Sequence, residues 1–264
     1  MAKEQLVSFI GSGNVAWHLA PALDNAGYIV KEVYSRNAQH AEALTERLYQ
    51  AEVKASVDFS TSPSDTFIIA TSDDSIADVA REIILPDDAV LVHTSGSQPM
   101  NVLQYAATPF IGVFYPLQTF SKSRRIAFDE VPILVESAQE ETGESLLAMA
   151  RAISTSVHKI FSEERKALHV AAVFASNFTN HMLTVAEKIA AANHLDFDLL
   201  QPLIRETIAK SLSNGPRVSQ TGPAKRGDLE VLDMHMDFLQ DHPATAEMYK
   251  VISQHILDLH HGSD

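Results

Sequence analysis

The first 160 residues alternate between short β-rich runs and amphipathic stretches with a period near 3.6 residues. The β-rich runs fall at residues 6–10, 28–34, 52–55, 66–70, 89–93, 110–115, 131–135 and 156–161, and those at 66–70 and 89–93 are apolar without alternation. Helical patterns fill the gaps at 14–25, 38–49, 74–84 and 138–153. A strand that is apolar throughout must be covered on both faces, so this order predicts α/β architecture with a doubly wound, mostly parallel sheet. From Ser162 onward no strand pattern remains. Residues 163–193 form one Ala-, Val- and Phe-rich helical run, which at 1.5 Å per residue would span roughly 45 Å. Further helices are predicted at 197–213, 228–240 and 245–259. The predicted organisation is a nucleotide-binding domain over 1–161 and an all-α domain over 162–264. A cleft between two such domains is a usual seat for a small molecule.

The first apolar run ends in Gly11-Ser12-Gly13-Asn14-Val15-Ala16, where a helix opens. Gly-x-Gly-x-x-Ala in a strand–turn–helix setting is a dinucleotide fingerprint. Gly11 allows the tight turn, Gly13 lets a pyrophosphate reach the backbone, and Ala16 lets the helix pack closely. The free amides near Asn14 and Val15 would face the phosphates. The second strand ends in Ser35-Arg36-Asn37, where an NAD-binding chain usually carries a carboxylate. Arginine and serine suit a 2′-phosphate, so NADP is the expected cofactor. Glu32 is placed inside the strand. Thr71, Ser72 and Asp73, at the end of another strand, are expected beside the cofactor.

Composition narrows the field. The formal charge is −14, which argues against nucleic acid and anionic lipid as partners. There is no cysteine, which removes disulfides and thiolate chemistry and suits a cytoplasmic protein. No signal-peptide core and no membrane-length apolar run are found. His235, His242, His255, His260 and His261 are scattered without ligand spacing, so no metal site is expected.

Four polar groups do not fit a plain scaffold. His93-Thr94-Ser95-Gly96-Ser97 closes a buried strand on the edge where α/β sheets bind ligands. His93 could carry a proton, and Ser95 either contacts substrate or caps the next turn. In Tyr115-Pro116-Leu117-Gln118-Thr119-Phe120, Tyr115 is a candidate proton donor and Gln118 and Thr119 are candidate substrate contacts; a packed turn is the alternative. On the long helix, His169, Ser176, Asn177, Asn180 and Thr184 lie along one face at regular helical spacing, lining a cleft or a helix contact. The loop Ser219–Asp228 carries Thr221, Lys225 and Arg226, and Arg226 could hold an anionic substrate group.

Together the motifs Gly11–Ala16, His93–Ser97, Tyr115–Phe120, Ala175–Phe178 and Gln220–Asp228 resemble the two-domain bacterial proteins described as Rossmann-like with a DUF2520 C-terminal domain, often called NADP oxidoreductases. More distantly the plan is similar to pyrroline-5-carboxylate reductase, F420-dependent NADP reductase and the 6-phosphogluconate dehydrogenase superfamily. The resemblance implies NADP in the N-terminal domain, an all-α C-terminal domain that often mediates homodimerisation, and a cleft site between the domains, but it supplies no substrate; the expected reaction is hydride transfer to or from a small carbonyl or imine. The β-hydroxyacid dehydrogenases carry a catalytic lysine four residues before an asparagine of the long helix; Val173 stands there relative to Asn177. The proton donor must then be His93, Tyr115 or His169, the alternative being a non-catalytic NADP sensor.

Overall fold

The computed structural model describes residues 5–262. Eight strands form one sheet: β1 (Gln5–Ile10), β2 (Tyr28–Tyr34), β3 (Glu52–Lys54), β4 (Thr66–Ile69), β5 (Val90–His93), β6 (Ile111–Pro116), β7 (Ile133–Ser137) and β8 (Val157–Lys159). Their order is β3-β2-β1-β4-β5-β6-β7-β8. Every neighbouring pair is parallel except β6 and β7, which run antiparallel. The sheet is covered by α1 (Asn14–Asn25), α2 (Ala38–Thr45), α3 (Ile76–Glu82) and α4 (Glu140–Ile153). Buried apolar side chains gather in two clusters. One is built around Val7, Phe9, Leu19 and Phe114, the other around Ile10, Phe67, Ile69 and Leu91. Neighbouring residues of one strand thus feed both clusters, as an apolar strand covered on both faces requires.

The chain divides into two compact units, Met1–Ser176 and Asn177–Asp264. The long helical run is real but composite. It consists of α5 (Ser162–Ala172), a π-helical segment Val173–Phe178, and α6 (Thr179–Ala192). The division between the units falls inside the π segment. A π turn has more than 3.6 residues, so the expected register between His169 and Asn177 does not carry across it. A 3-10 turn at Met100–Tyr105 was not legible in the sequence pattern.

The second unit holds α6, α7 (Gln201–Asn214), α8 (Pro216–Ser219), α9 (Pro223–Arg226), α10 (Leu229–Phe238) and α11 (Pro243–His261). A single-turn helix, α9, lies within what was predicted as one open loop over 219–228, and another, α8, ends at its first residue. Pro216 and Pro223 begin them, where a missing N–H is harmless. Among the described residues no helix is long and apolar enough to cross a membrane.

Candidate active site

The strand order places β2 on one side of β1 and β4 on the other. The carboxyl ends of β1 and β4 therefore flank the point where winding direction switches, the standard ligand position in such sheets. A cavity of about 710 Å³ opens there, lined by Gly11, Ser12, Gly13, Asn14, Val15, Ser35, Arg36, Thr71 and Ser72 from the ends of β1, β2 and β4. Its size lies within the usual range for small-molecule sites.

The two glycines of the turn have different reasons to be glycine. Gly11 has φ +108°, and a Cβ there would sit 2.5 Å from the Ala70 carbonyl oxygen. Its N–H donates to the Tyr34 carbonyl at 2.7 Å, which locks the turn to β2. Gly13 has an ordinary φ of −72°, and a Cβ there would meet only the Ala70 oxygen, at 3.7 Å. The fold does not need a glycine at 13. A ligand approaching the backbone does. Gly13 caps α1 without a side-chain hydrogen bond, and the first turn holds no acidic residue. The orphan amides and the positive end of the helix dipole are thus left for an anion. Ala16 is fully buried, as close packing of α1 requires.

At the far end of the cavity, Ser35 and Arg36 stand where a carboxylate would discriminate against a 2′-phosphate, and His40 joins them. Glu32 is turned away: it accepts hydrogen bonds from Ser8, at 2.9 Å, and Ser62, and its other oxygen lies 3.5 Å from the Lys54 ammonium. These groups fit a phosphorylated dinucleotide. Two expected cofactor residues are used otherwise. Asn37 caps α2, its Oδ1 accepting from the Gln39 N–H at 3.0 Å. Asp73 accepts from the Ser97 hydroxyl, outside the cavity lining.

The second constellation lies at the ends of β5 and β6. The Tyr115 hydroxyl is 3.0 Å from His169 Nδ1, and the rings meet edge to face at 5.9 Å. A Cβ on Gly96 would lie 2.7 Å from Tyr115 Cζ and would also strike the His169 ring. Gly96 is therefore the gap that lets the pair form. Burial, opposed by Arg165 and aided by Asp73, raises the Tyr115 pKa. The phenol stays protonated at neutral pH and can donate.

His93 sits differently. It is fully buried, and its Nδ1 accepts the Ser95 N–H at 3.1 Å. Burial first and the Arg165 charge second push its pKa down to about 4, against the Pro99 backbone and Asp73. It is a neutral ring that shapes the β5 end. Ser95 is also buried, and its Oγ accepts from the Ser97 and Gln98 amides at 3.1 and 3.0 Å. The turn-capping reading of Ser95 describes its bonds.

Two residues central to this region were not singled out from the sequence. Arg165, on α5, is fully buried. It donates to the carbonyls of Ser95 (3.0 Å), Gly96 (3.3 Å) and Gln98 (2.8 Å), and to Glu136 Oε2 at 2.9 Å. Glu136, at the end of β7, is also buried and accepts from the Ser162 hydroxyl at 2.8 and 2.9 Å. One guanidinium thus ties α5 to both the β5 loop and β7. A glutamate directly after the apolar run Ile133-Leu134-Val135 was the available signal, because a charge at a buried strand end needs a partner.

The remaining expected substrate residues are exposed. Gln118 Oε1 accepts from the Thr119 amide at 2.8 Å. Asn177, Thr221 and Arg226 belong to the second unit. Thr221 borders an apolar cavity of about 310 Å³ there, and Arg226 lies 3.6 Å from Asp228. Among the described residues no group of three or more His, Asp or Glu is placed to hold a metal.

Comparison with known proteins gives two family matches. Residues 6–95 match the model for coenzyme F420-dependent NADP oxidoreductases, and residues 131–256 match DUF2520. No curated protein matches the chain. Among solved structures, a Bacteroides fragilis protein designated an NADP oxidoreductase is 37% identical, with a TM-score of 0.89 over 97% of this chain and 98% of that one. A Thermotoga maritima protein is 23% identical, with a TM-score of 0.71 over 96% of this chain and 97% of that one. An imine reductase of Myxococcus stipitatus, solved with NADP+, shares the fold at 16% identity and a TM-score of 0.70, covering 98% of this chain and 96% of that one. With the dinucleotide turn, the Ser35-Arg36 strand end and near-complete coverage by a relative at 37% identity, the chain belongs to the NADP oxidoreductase family that joins a Rossmann-type domain to DUF2520.

Proposed function

We propose that the protein is an NADPH-dependent reductase of a small C=N or C=O compound, with Tyr115 as proton donor and His169 behind it. The observation that carries this reading is the Tyr115–His169 bond of 3.0 Å, on the carboxyl edge of the sheet that bears the dinucleotide turn. Bound NADPH would supply the hydride to the substrate carbon. The amides of Gly13 to Val15 hold the pyrophosphate, and Ser35 and Arg36 hold the 2′-phosphate. Tyr115 gives its proton to the substrate nitrogen or oxygen, and His169 Nδ1 returns one to the phenolate. Neutral His93 and buried Arg165 fix the loop against which the pair is set. An imine reductase, and a reductive aminase of Aspergillus terreus solved with NADPH and ethyl levulinate, share the fold, which favours an imine substrate.

Gln118 and Thr119, and Asn177, Thr221 and Arg226 of the second unit, serve as substrate contacts, with Arg226 taking an anionic group. The protein acts as a homodimer through its C-terminal helices. Support comes from the second unit's thin core, whose buried apolar side chains are Ala190, Ala224, Leu232 and Leu239 among the described residues. Leu199, Leu203, Leu212 and Val251 stay exposed, Leu212 at 83%. Light scattering at micromolar concentration tests this, and a monomer would refute it.

The function is tested by following NADPH oxidation with a panel of cyclic imines, ketone–amine mixtures and keto acids. Turnover that depends on Tyr115, and tighter binding of NADPH than NADH that disappears in Arg36→Ala, are expected. Undiminished turnover in Tyr115→Phe would overturn the proton assignment.

A further inference from the structure

Lys122 stands on the loop after β6. Lys122, Arg124 and Arg125 make this a basic stretch in a chain of formal charge −14. The loop is fastened to α1. The Ser121 carbonyl oxygen lies 2.9 Å from His18 Nε2, and Phe120 stacks between His18 at 5.5 Å and Phe128 at 5.9 Å. The Lys122 ammonium lies 4.7 Å from the centroid of the Trp17 ring, and the Arg47 guanidinium lies 4.2 Å from the same centroid. Arg47 also donates to the Trp17 carbonyl. Trp17 is thereby braced beside the first turn of α1, and Lys122 lines the dinucleotide cavity with Gly13, Asn14 and Val15.

Lys122 and Arg36 are the two Lys or Arg side chains lining this cavity, and neither is in an ion pair among the described residues. They reach it from different elements. Arg36 stands at the end of β2, Lys122 beside α1. A lysine held by an aromatic face, with no carboxylate partner, next to the orphan amides of a helix start is arranged to receive an anion. An exposed cation–π contact is weak enough to be exchanged for a charge-assisted bond to phosphate. We infer that Lys122 is a pyrophosphate-binding residue of this cavity, with the Trp17 ring as its resting place; the inference rests on the NADP(H) reading given above.

Trp17 is the single tryptophan of the chain, so its fluorescence reports on this corner directly. Titration of the full-length protein with NADPH and with NADH, checked by calorimetry, gives the dissociation constants. Lys122→Gln is expected to weaken both cofactors by about tenfold, because the pyrophosphate is common to both. Lys122→Arg should stay within about threefold of the native protein. Arg36→Ala should weaken NADPH alone. Unchanged binding in Lys122→Gln overturns the inference, as does a loss confined to NADPH, which would put Lys122 on the 2′-phosphate. A native protein that binds neither cofactor overturns the NADP(H) reading itself.

Discussion

The Arg165 guanidinium donates to the Glu136 carboxylate at 2.9 Å, with both groups buried between α5, β7 and the β5 loop. A buried ion pair contributes little net stability over an apolar pair, but breaking it leaves one charge stranded. Arg165→Met is therefore expected to destabilise the protein by about 3–5 kcal/mol. Urea unfolding measures it. A loss below about 1 kcal/mol would mean that Glu136 finds water or another donor.

The gap at Gly96 predicts a more selective effect. In Gly96→Ala the new Cβ meets Tyr115 Cζ and the His169 ring, so the hydrogen-bonded pair must open. NADPH affinity should stay near native, because Gly96 does not line the dinucleotide cavity. Turnover should fall by about a hundredfold, the lower range for loss of a positioned acid. Tyr115→Phe should match it, and the double variant should be no worse than either. Steady-state kinetics with an accepted substrate checks all three; additive losses would separate the two residues.

The turn glycines should part company. Gly11→Ala meets both a left-handed φ and the Ala70 oxygen, and should destabilise the fold by about 2 kcal/mol or more. Gly13→Ala should change stability by less than about 0.5 kcal/mol yet weaken NADPH about tenfold or more. Thermal unfolding read beside cofactor titration resolves the two effects. Equal destabilisation by both substitutions would deny Gly13 its ligand role.

His93 sets a pH dependence. Its folded pKa of about 4 lies below the 6.5 of an unfolded histidine. Above pH 6.5 the ring is neutral in both states and folding is unaffected. As pH falls from 6.5 towards 4, only the unfolded chain takes up the proton, and stability drops by up to about 3 kcal/mol; below 4 this contribution is flat. In His93→Gln the slope over that interval should flatten by this amount. Denaturation curves taken between pH 7 and 4 make the comparison, and parallel slopes would refute a buried neutral ring.

The central strands were legible because burial on both faces leaves apolar runs, and α1 because an Ala- and Leu-rich run opens at the glycine turn and ends before Gly27. The dinucleotide turn was legible because glycine spacing is a backbone requirement. The mostly parallel strand direction was legible too, but its one exception was not. The antiparallel step from β6 to β7 depends on how the long loop between them folds, which apolar periodicity does not encode. The site was visible in pieces. Tyr115 and His169 each stood out as polar groups in apolar surroundings, but their pairing spans 54 positions and is made possible by Gly96, whose role is an empty space. Arg165 was hidden for a different reason. In Ser162-Glu163-Glu164-Arg165-Lys166 it reads as one more residue of a solvated helix face, and only the packed helix turns it inward. Asn37 was read only as a strand end beside the cofactor, whereas its side chain caps the helix that follows.

The buried Arg165 also bears on dissection of the chain. A genetically truncated nucleotide-binding fragment ending at the last strand would keep Glu136 at the end of β7 without its cation, and the carbonyls of Ser95, Gly96 and Gln98 without their donor. Such a fragment would need to carry α5 to satisfy its own interior. The helix after the sheet is, by this measure, as much a wall of the first unit as the strands are.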